Sequence, residues 1–291
     1  MGEKQMQRWT ALVLALVGLS VISIIIARSR SGTPHNSADS ERAARVDAPQ
    51  TAATGARVPV VVELFTSEGC SSCPPADELL KRLSETQPVA GAEVIALEQH
   101  VDYWNRLGWA DPFSAEQFSA RQGTYADAFG SMGIYTPQMI IDGQTEFPGG
   151  NQTKARDAIA AAAHTSKATL TLARNGTTKP EGVPLSVRVE KLPTTNADDT
   201  LEVLLAITED GLRTDVPRGE NAGRTLAHAS VVRELSTLGE ISPRDTQPFA
   251  AQPVVTLSEK WQLKNLRAVV FVQEHTSRRV LGAMAIKLGA E

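Results

Sequence analysis

A short β-branched run, Val58 to Phe65 (V-P-V-V-V-E-L-F), leads into Cys70-Ser71-Ser72-Cys73 and then into a helical pattern. This succession constrains the chain more than any other feature. The run suits a buried strand and is too short for a helix of ordinary length. After the cysteines, Ala76, Leu79, Leu80 and Leu83 recur at the spacing of one buried helical face, while Glu78, Lys81, Arg82 and Glu85 face away. Glu93 to Val101 reads as a second strand, so the unit is strand, helix, strand, with parallel strands and a right-handed crossover.

Further on, Ser114 and Gln117 carry the spacing of a capping box that opens a helix containing Phe118, Tyr125 and Phe129 and ending near Gly130. Gln138 to Ile141 is a third strand, and Asp142-Gly143 turns it into Thr145-Glu146-Phe147. A last helix is expected from Gln152 to His164. Residues 58–166 therefore predict an α/β domain, a small mixed sheet with helices on both faces.

From Ala168 the texture changes. Strands are expected at Thr169–Ala173, Leu185–Glu190, Leu201–Thr208, Thr225–Leu235, Pro253–Leu257, Arg267–Glu274 and Val280–Leu288. Turn-rich connections between them predict an antiparallel β-sandwich-like domain over 167–291. Arg218 to Arg224 reads as a glycine-bearing loop, and His228 and His275 as isolated structural histidines.

The N-terminus holds an apolar run from Thr10 to Ala27, flanked by Lys4, Arg8, Arg28 and Arg30. At ~1.5 Å per residue it spans roughly 27 Å, just short of a hydrocarbon core of ~30 Å, and can cross a membrane. Bulky Ile24-Ile25-Ile26 stand where a cleavage site needs small residues, which favours a signal anchor over a cleaved signal peptide for 1–27. Residues 28–57 lack apolar periodicity and read as a disordered linker. The expected location is periplasmic or otherwise extracytoplasmic, anchored in the inner membrane through that N-terminal transmembrane helix. The net charge of −4 and the lack of a basic block argue against nucleic acid as a partner.

Both cysteines of the chain lie in the one Cys-x-x-Cys motif. An exported dithiol at the carboxyl end of a strand, where open sheets place ligands, can be oxidised and can exchange. Cys70 is the expected nucleophile and Cys73 the resolving thiol. Pro74-Pro75 remove two helix donors, so the helix could start at Pro74 with Cys73 as its cap, which weakens any dipole effect on Cys70. Glu63, on the strand that leads into the motif, is either a buried proton relay to the resolving sulfur or a solvated edge residue. His100 closes the second strand and is either a base, a third metal ligand beside the two thiolates, or a structural residue bonded in the next loop. Tyr103, Trp104, Trp109 and Phe113 either rim the redox site and grip a substrate chain or form a satellite core.

The strand, Cys70-Ser71-Ser72-Cys73, and Gly133-Ile134-Tyr135-Thr136-Pro137 resemble the thioredoxin pattern. That resemblance implies a thioredoxin-like fold for 58–166, a cis Pro137 beside the dithiol, and pairing of the backbone at Thr136 with a partner polypeptide. More closely, G-C-S-S-C-P-P-A-D, H-V-D-Y-W and Y-T-P-Q-M, in that order, resemble a family of secreted bacterial thioredoxin-like proteins catalogued as domain of unknown function 1223. The family implies the fold and no activity.

Three functions are open at this point. One is thiol–disulfide exchange, with no cofactor beyond a redox-active disulfide, on a protein or small-molecule thiol or disulfide client. Another is capture or delivery of a soft metal such as Cu(I) by Cys70, Cys73 and His100. The last is a non-catalytic tethered scaffold, for which so short a disulfide loop adds little stability.

Overall fold

The structure is a computed structural model that describes residues 57–176, 182–245 and 247–289. The expected anchor, 1–27, and nearly all of the expected linker lie outside the described residues. Among the described residues no helix is long and apolar enough to cross a membrane.

The first strand, β1 (Val58–Thr66), runs parallel to β2 (Ala92–His100), with α1 (Pro74–Thr86) as the crossover. Then come α2 (Glu116–Phe129), β3 (Gln138–Ile141), β4 (Thr145–Pro148) and α3 (Gln152–Ala162). Period-two alternation divides β1 cleanly. Val60, Val62 and Leu64 share a core with Leu79, Leu80 and Leu83 of α1 and Ile159 of α3. Val61 instead shares a core with Phe118 of α2, and Phe65 one with Tyr125 of α2. The helices thus cover both faces of the sheet. Each fully buried Leu contributes about 1.5–3 kcal/mol through area removed from water.

The rest of the chain supplies β5 (Thr169–Arg174), β6 (Val183–Lys191), β7 (Leu201–Glu209), β8 (Leu212–Asp215), β9 (Thr225–His228) and β10 (Val231–Ile241). It continues with β11 (Phe249–Ala251), β12 (Val254–Val255), β13 (Leu266–Glu274) and β14 (Val280–Lys287). The strands on either side of residue 166 join in one mixed eight-stranded sheet, in the order β14-β13-β7-β10-β2-β1-β3-β4. The seam is the parallel contact of β10 with β2, where Val231 lies opposite Glu98. The division expected at 166/167 therefore marks a change of strand texture, while the sheet itself continues. A smaller sheet, in which β6 pairs with β5, β11 and β12, packs its apolar residues against Val203 and Leu205 of β7 and Val270 of β13.

Two local expectations need correction. The capping box does not form: the cap of α2 is Ala115, and the Ser114 hydroxyl donates to the Asp111 carbonyl instead. The single strand expected from Thr225 to Leu235 is broken at Ala229-Ser230. Ser230 adopts φ 58°, and both its N–H and its hydroxyl donate to Asp210. Asp210 thus holds a bend that lets β9 pair with β8 while β10 enters the large sheet. The bend carries His228 to the seam.

Candidate functional site

Cys73 caps α1, with Pro74 and Pro75 in the first turn, where the missing N–H groups would have no helical partner anyway. The Ala76 and Asp77 N–H groups both donate to the Cys73 carbonyl. Cys70 lies before it in the loop, and its sulfur is 3.2 Å from the Ser72 hydroxyl. Both cysteines are free thiols.

The two sulfurs are inequivalent. A hydrogen bond from the Cys73 thiol, helped by Ser72 and Thr136, lowers the Cys70 pKa to about 6 against the opposing effect of burial. Burial, the hydrogen bond given to Cys70 and the charge of Asp77 push the Cys73 thiol far up. The preference for Cys70 as the more ionised sulfur thus has a cause other than a helix dipole: its own partner thiol is the main one.

The sulfurs are also covered. Cys70 is 1% exposed and Cys73 is 0%. The glycine-bearing loop packs on the backbone around Cys70. Asn221 donates to the carbonyls of both Glu68 and Cys70, and Glu220 accepts from the Ser71 N–H. Gly219, at φ +81°, lets this loop close on Trp109, since an added Cβ would lie 3.1 Å from the Trp109 Cβ. On another side the Trp104 indole donates to the Thr136 hydroxyl, and the Thr136–Pro137 peptide is cis. Ile134 and Tyr135, 40% and 36% exposed, and the open side chain of Met132 lie just before that peptide.

Glu63 does not lie under the dithiol. It is one residue out of phase with Leu64, so it points to the α2 face. There Arg121 donates to both of its carboxylate oxygens, and Gln99 and Tyr125 donate as well. Although burial pushes the other way, Arg121 holds the Glu63 carboxyl below its usual range, and the charge is fully paired. Neither the relay nor a solvated edge describes it; Glu63 is the centre of a buried structural network.

The acid near Cys73 is Asp77, on the first turn of α1. Its carboxylate accepts from Thr66 at 2.5 Å, and the same Thr66 hydroxyl favours the Cys73 thiolate. Burial, then the charge of Glu98, raises the Asp77 pKa to about 7. The sequence held a signal for it: Asp77 and Leu80 are three apart and share the buried face of α1.

His100 stands on that same face of the sheet, but both its nitrogens are directed at carboxylates. Nδ1 lies 2.7 Å from Asp111 and Nε2 3.4 Å from Glu98. Among the described residues, no convergent set of three ligands includes either cysteine; the convergent set is Glu98, His100 and His228. The site with Cys70, Cys73 and His100 as joint ligands is therefore not assembled. His228, expected to be isolated, lies between Glu98 and Glu68. The aromatic loop is divided between both readings. Tyr103 bonds Gln122 and Trp104 bonds Thr136 beside the dithiol, whereas Trp109 bonds Glu68 and Phe113 packs edge-on against the rings of His100 and His228.

A family model described as protein of unknown function (DUF1223) matches residues 61–273. The chain belongs to this family. The match spans both sides of the seam, so the DUF1223 unit includes the Asn221 loop as well as the dithiol itself. The chain is similar to protein AGR_C_4864 from Agrobacterium tumefaciens, known from a crystal structure, with 25% identity and a TM-score of 0.61. That likeness covers 81% of this chain and 96% of the other. It is also similar to HBP35 of Porphyromonas gingivalis, with 16% identity, 80% and 76% coverage and a TM-score of 0.59, a likeness of fold alone. No curated protein sequence matches this DUF1223 chain.

Proposed function

We propose that the protein is an extracytoplasmic thiol–disulfide oxidoreductase, tethered through its N-terminal apolar run and acting through Cys70 and Cys73. The observation that carries this reading is the asymmetry of the two sulfurs, with a thiolate favoured at Cys70 and a buried acid behind Cys73. The parallel β1–β2 pair with α1 between, and Thr136 beside Cys70, support a thioredoxin-like reading of 58–166. The packing of the smaller sheet on β7 and β13 supports a sandwich-like reading of the later strands.

In the reducing direction, the Cys70 thiolate attacks one sulfur of a client disulfide. A mixed disulfide forms and the other client sulfur leaves as thiolate, taking a proton from solvent. The Cys73 proton passes through Thr66 to the Asp77 carboxylate, which is poised near neutral pH for such a transfer. The Cys73 thiolate then attacks Cys70, closing the Cys70–Cys73 disulfide and releasing the second client thiolate. Two electrons move from the dithiol to the client; the oxidising direction is the reverse. The exposed stretch Met132, Ile134 and Tyr135 offers apolar surface for an extended client segment beside Thr136. Because Cys70 is buried, each turnover requires a local opening around it, for which the Asn221 loop bonded to its carbonyl is the candidate element.

Equilibration with glutathione buffers and turnover of a disulfide-bonded peptide test this reading. A potential within about −270 to −120 mV, with turnover lost in Cys70→Ser, is expected. A potential below about −300 mV with no turnover would mark an inert staple and contradict it.

A further inference from the structure

The buried cluster at the seam between β2 and β10 is not used by the exchange steps beyond Asp77, yet it is organised like a coordination site. Glu98 and His100 are two residues apart on β2 and share one face of the sheet. The bend at Ser230 brings His228 to them, and the ligating atoms of the three lie within 4.8 Å of one another. All three are at least 98% buried.

Each side chain is also held from behind. Asp111 engages His100 Nδ1 at 2.7 Å, Glu68 engages His228 Nε2 at 3.2 Å, and the Ala229 N–H donates to the second Glu98 oxygen at 3.0 Å. Metal-bound histidines characteristically give their other ring nitrogen to a carboxylate in this way. The inward atoms left over are His100 Nε2, His228 Nδ1 and Glu98 Oε1. His100 Nε2 is fully buried and makes no hydrogen bond of ordinary geometry, which is costly for a polar atom. It points at Glu98 Oε1 from 3.4 Å.

We propose that His100 Nε2, His228 Nδ1 and Glu98 Oε1 bind a divalent first-row metal ion, zinc foremost. Two imidazoles and a carboxylate are a ligand set that zinc accepts, with a fourth position left for solvent. A tetrahedral ion with bonds of about 2.0–2.2 Å keeps neighbouring ligand atoms roughly 3.3 Å apart. The His100–Glu98 separation of 3.4 Å already suits this, and the His228–Glu98 separation of 2.7 Å opens when the ion replaces the proton between them. Charge favours a dication as well. Glu68, Asp77, Glu98 and Asp111 are four buried carboxylates against two imidazoles, so even two imidazolium rings leave negative charge uncompensated. A cavity of about 370 Å³, lined by Lys81, Ser84, Asp210, Arg213, Ala227 and His228, abuts the strand that carries His228.

The test uses the full chain, stripped with chelator and then loaded with Zn(II) or Co(II). One ion per chain is expected. X-ray absorption on the zinc form should give a nitrogen and oxygen shell with imidazole scattering and no sulfur at about 2.3 Å. His228→Ala should weaken Zn(II) by at least 100-fold, and Asp111→Asn by about 10–100-fold. The double variant Cys70→Ser, Cys73→Ser should bind as wild type, which separates this site from the dithiol whatever the fate of the exchange reading. No stoichiometric uptake by the wild type, or a sulfur shell, overturns the proposal, and so does undiminished affinity in a folded His228→Ala. If that variant does not fold, the wild-type stoichiometry and absorption spectrum decide.

Discussion

The Thr66 hydroxyl donates to the Asp77 carboxylate at 2.5 Å, across the junction of β1 with the first turn of α1. That contact places a buried acid, raised to about 7, one hydroxyl away from the resolving sulfur Cys73.

Asp77→Asn should therefore slow the second step of exchange at pH 7 by about 10²-fold, because the Cys73 proton loses its acceptor. The same variant should be more stable at high pH. A carboxyl whose folded pKa is raised destabilises the charged fold, a penalty absent below its unfolded value near 3.8 and fully developed above about 7. Thermal melts should show a gain of about 2–5 °C at pH 8 that vanishes near pH 4. A gain over wild type that is no larger at pH 8 than at pH 4 would mean that Asp77 is not strained by charge.

Cys70 in the reduced chain should react with iodoacetamide along a pH curve with its midpoint near 6, so that the rate is flat between pH 7 and 8. Its lowered pKa stabilises the reduced fold fully above the ordinary value near 9, and that contribution is lost as pH falls through about 6. Replacing Cys73 by Ala removes the main cause and should move the midpoint upward. An unmoved midpoint in that variant would shift the cause to Ser72 and Thr136.

Asn221→Ala removes two hydrogen bonds that tie its loop to the backbone at Glu68 and Cys70. The alkylation rate of Cys70 at fixed thiolate fraction should rise several-fold, with a stability cost of about 1–3 kcal/mol. An unchanged rate would show that a different element limits access.

Arg121→Met leaves the Glu63 charge buried without its partner and should cost about 3–5 kcal/mol in denaturant unfolding. Because that network lies on the α2 face, the alkylation midpoint of Cys70 should not move. A shifted midpoint would place Glu63 back in the redox chemistry.

The elements around the dithiol were legible because their signals are local. The β-branched run of β1, the apolar spacing of α1 and the Asp142-Gly143 turn each describe a few consecutive residues, and each forms where expected. Glu63 shows the limit of position without parity: it leads to the motif, but the two-residue period of a strand sends it to the opposite face. His228 could not be found locally at all. Its placement needs the Ser230 bend, the Asp210 side chain 20 positions away that holds it, and the β2–β10 seam, where residues more than a hundred positions apart meet. The Asn221 loop was visible as a loop through Gly219 and Gly223, but its contacts with Cys70 and Ser71 depend on that same seam.

The most direct measurement is a trapping experiment on the reduced Cys73→Ser chain with a peptide disulfide at pH 7, read by intact mass and peptide mapping. One peptide joined to each chain through Cys70, and none in Cys70→Ser, is the expected result. A reduced, folded chain that forms no adduct, even with Asn221 also replaced by Ala, would contradict exchange at this dithiol.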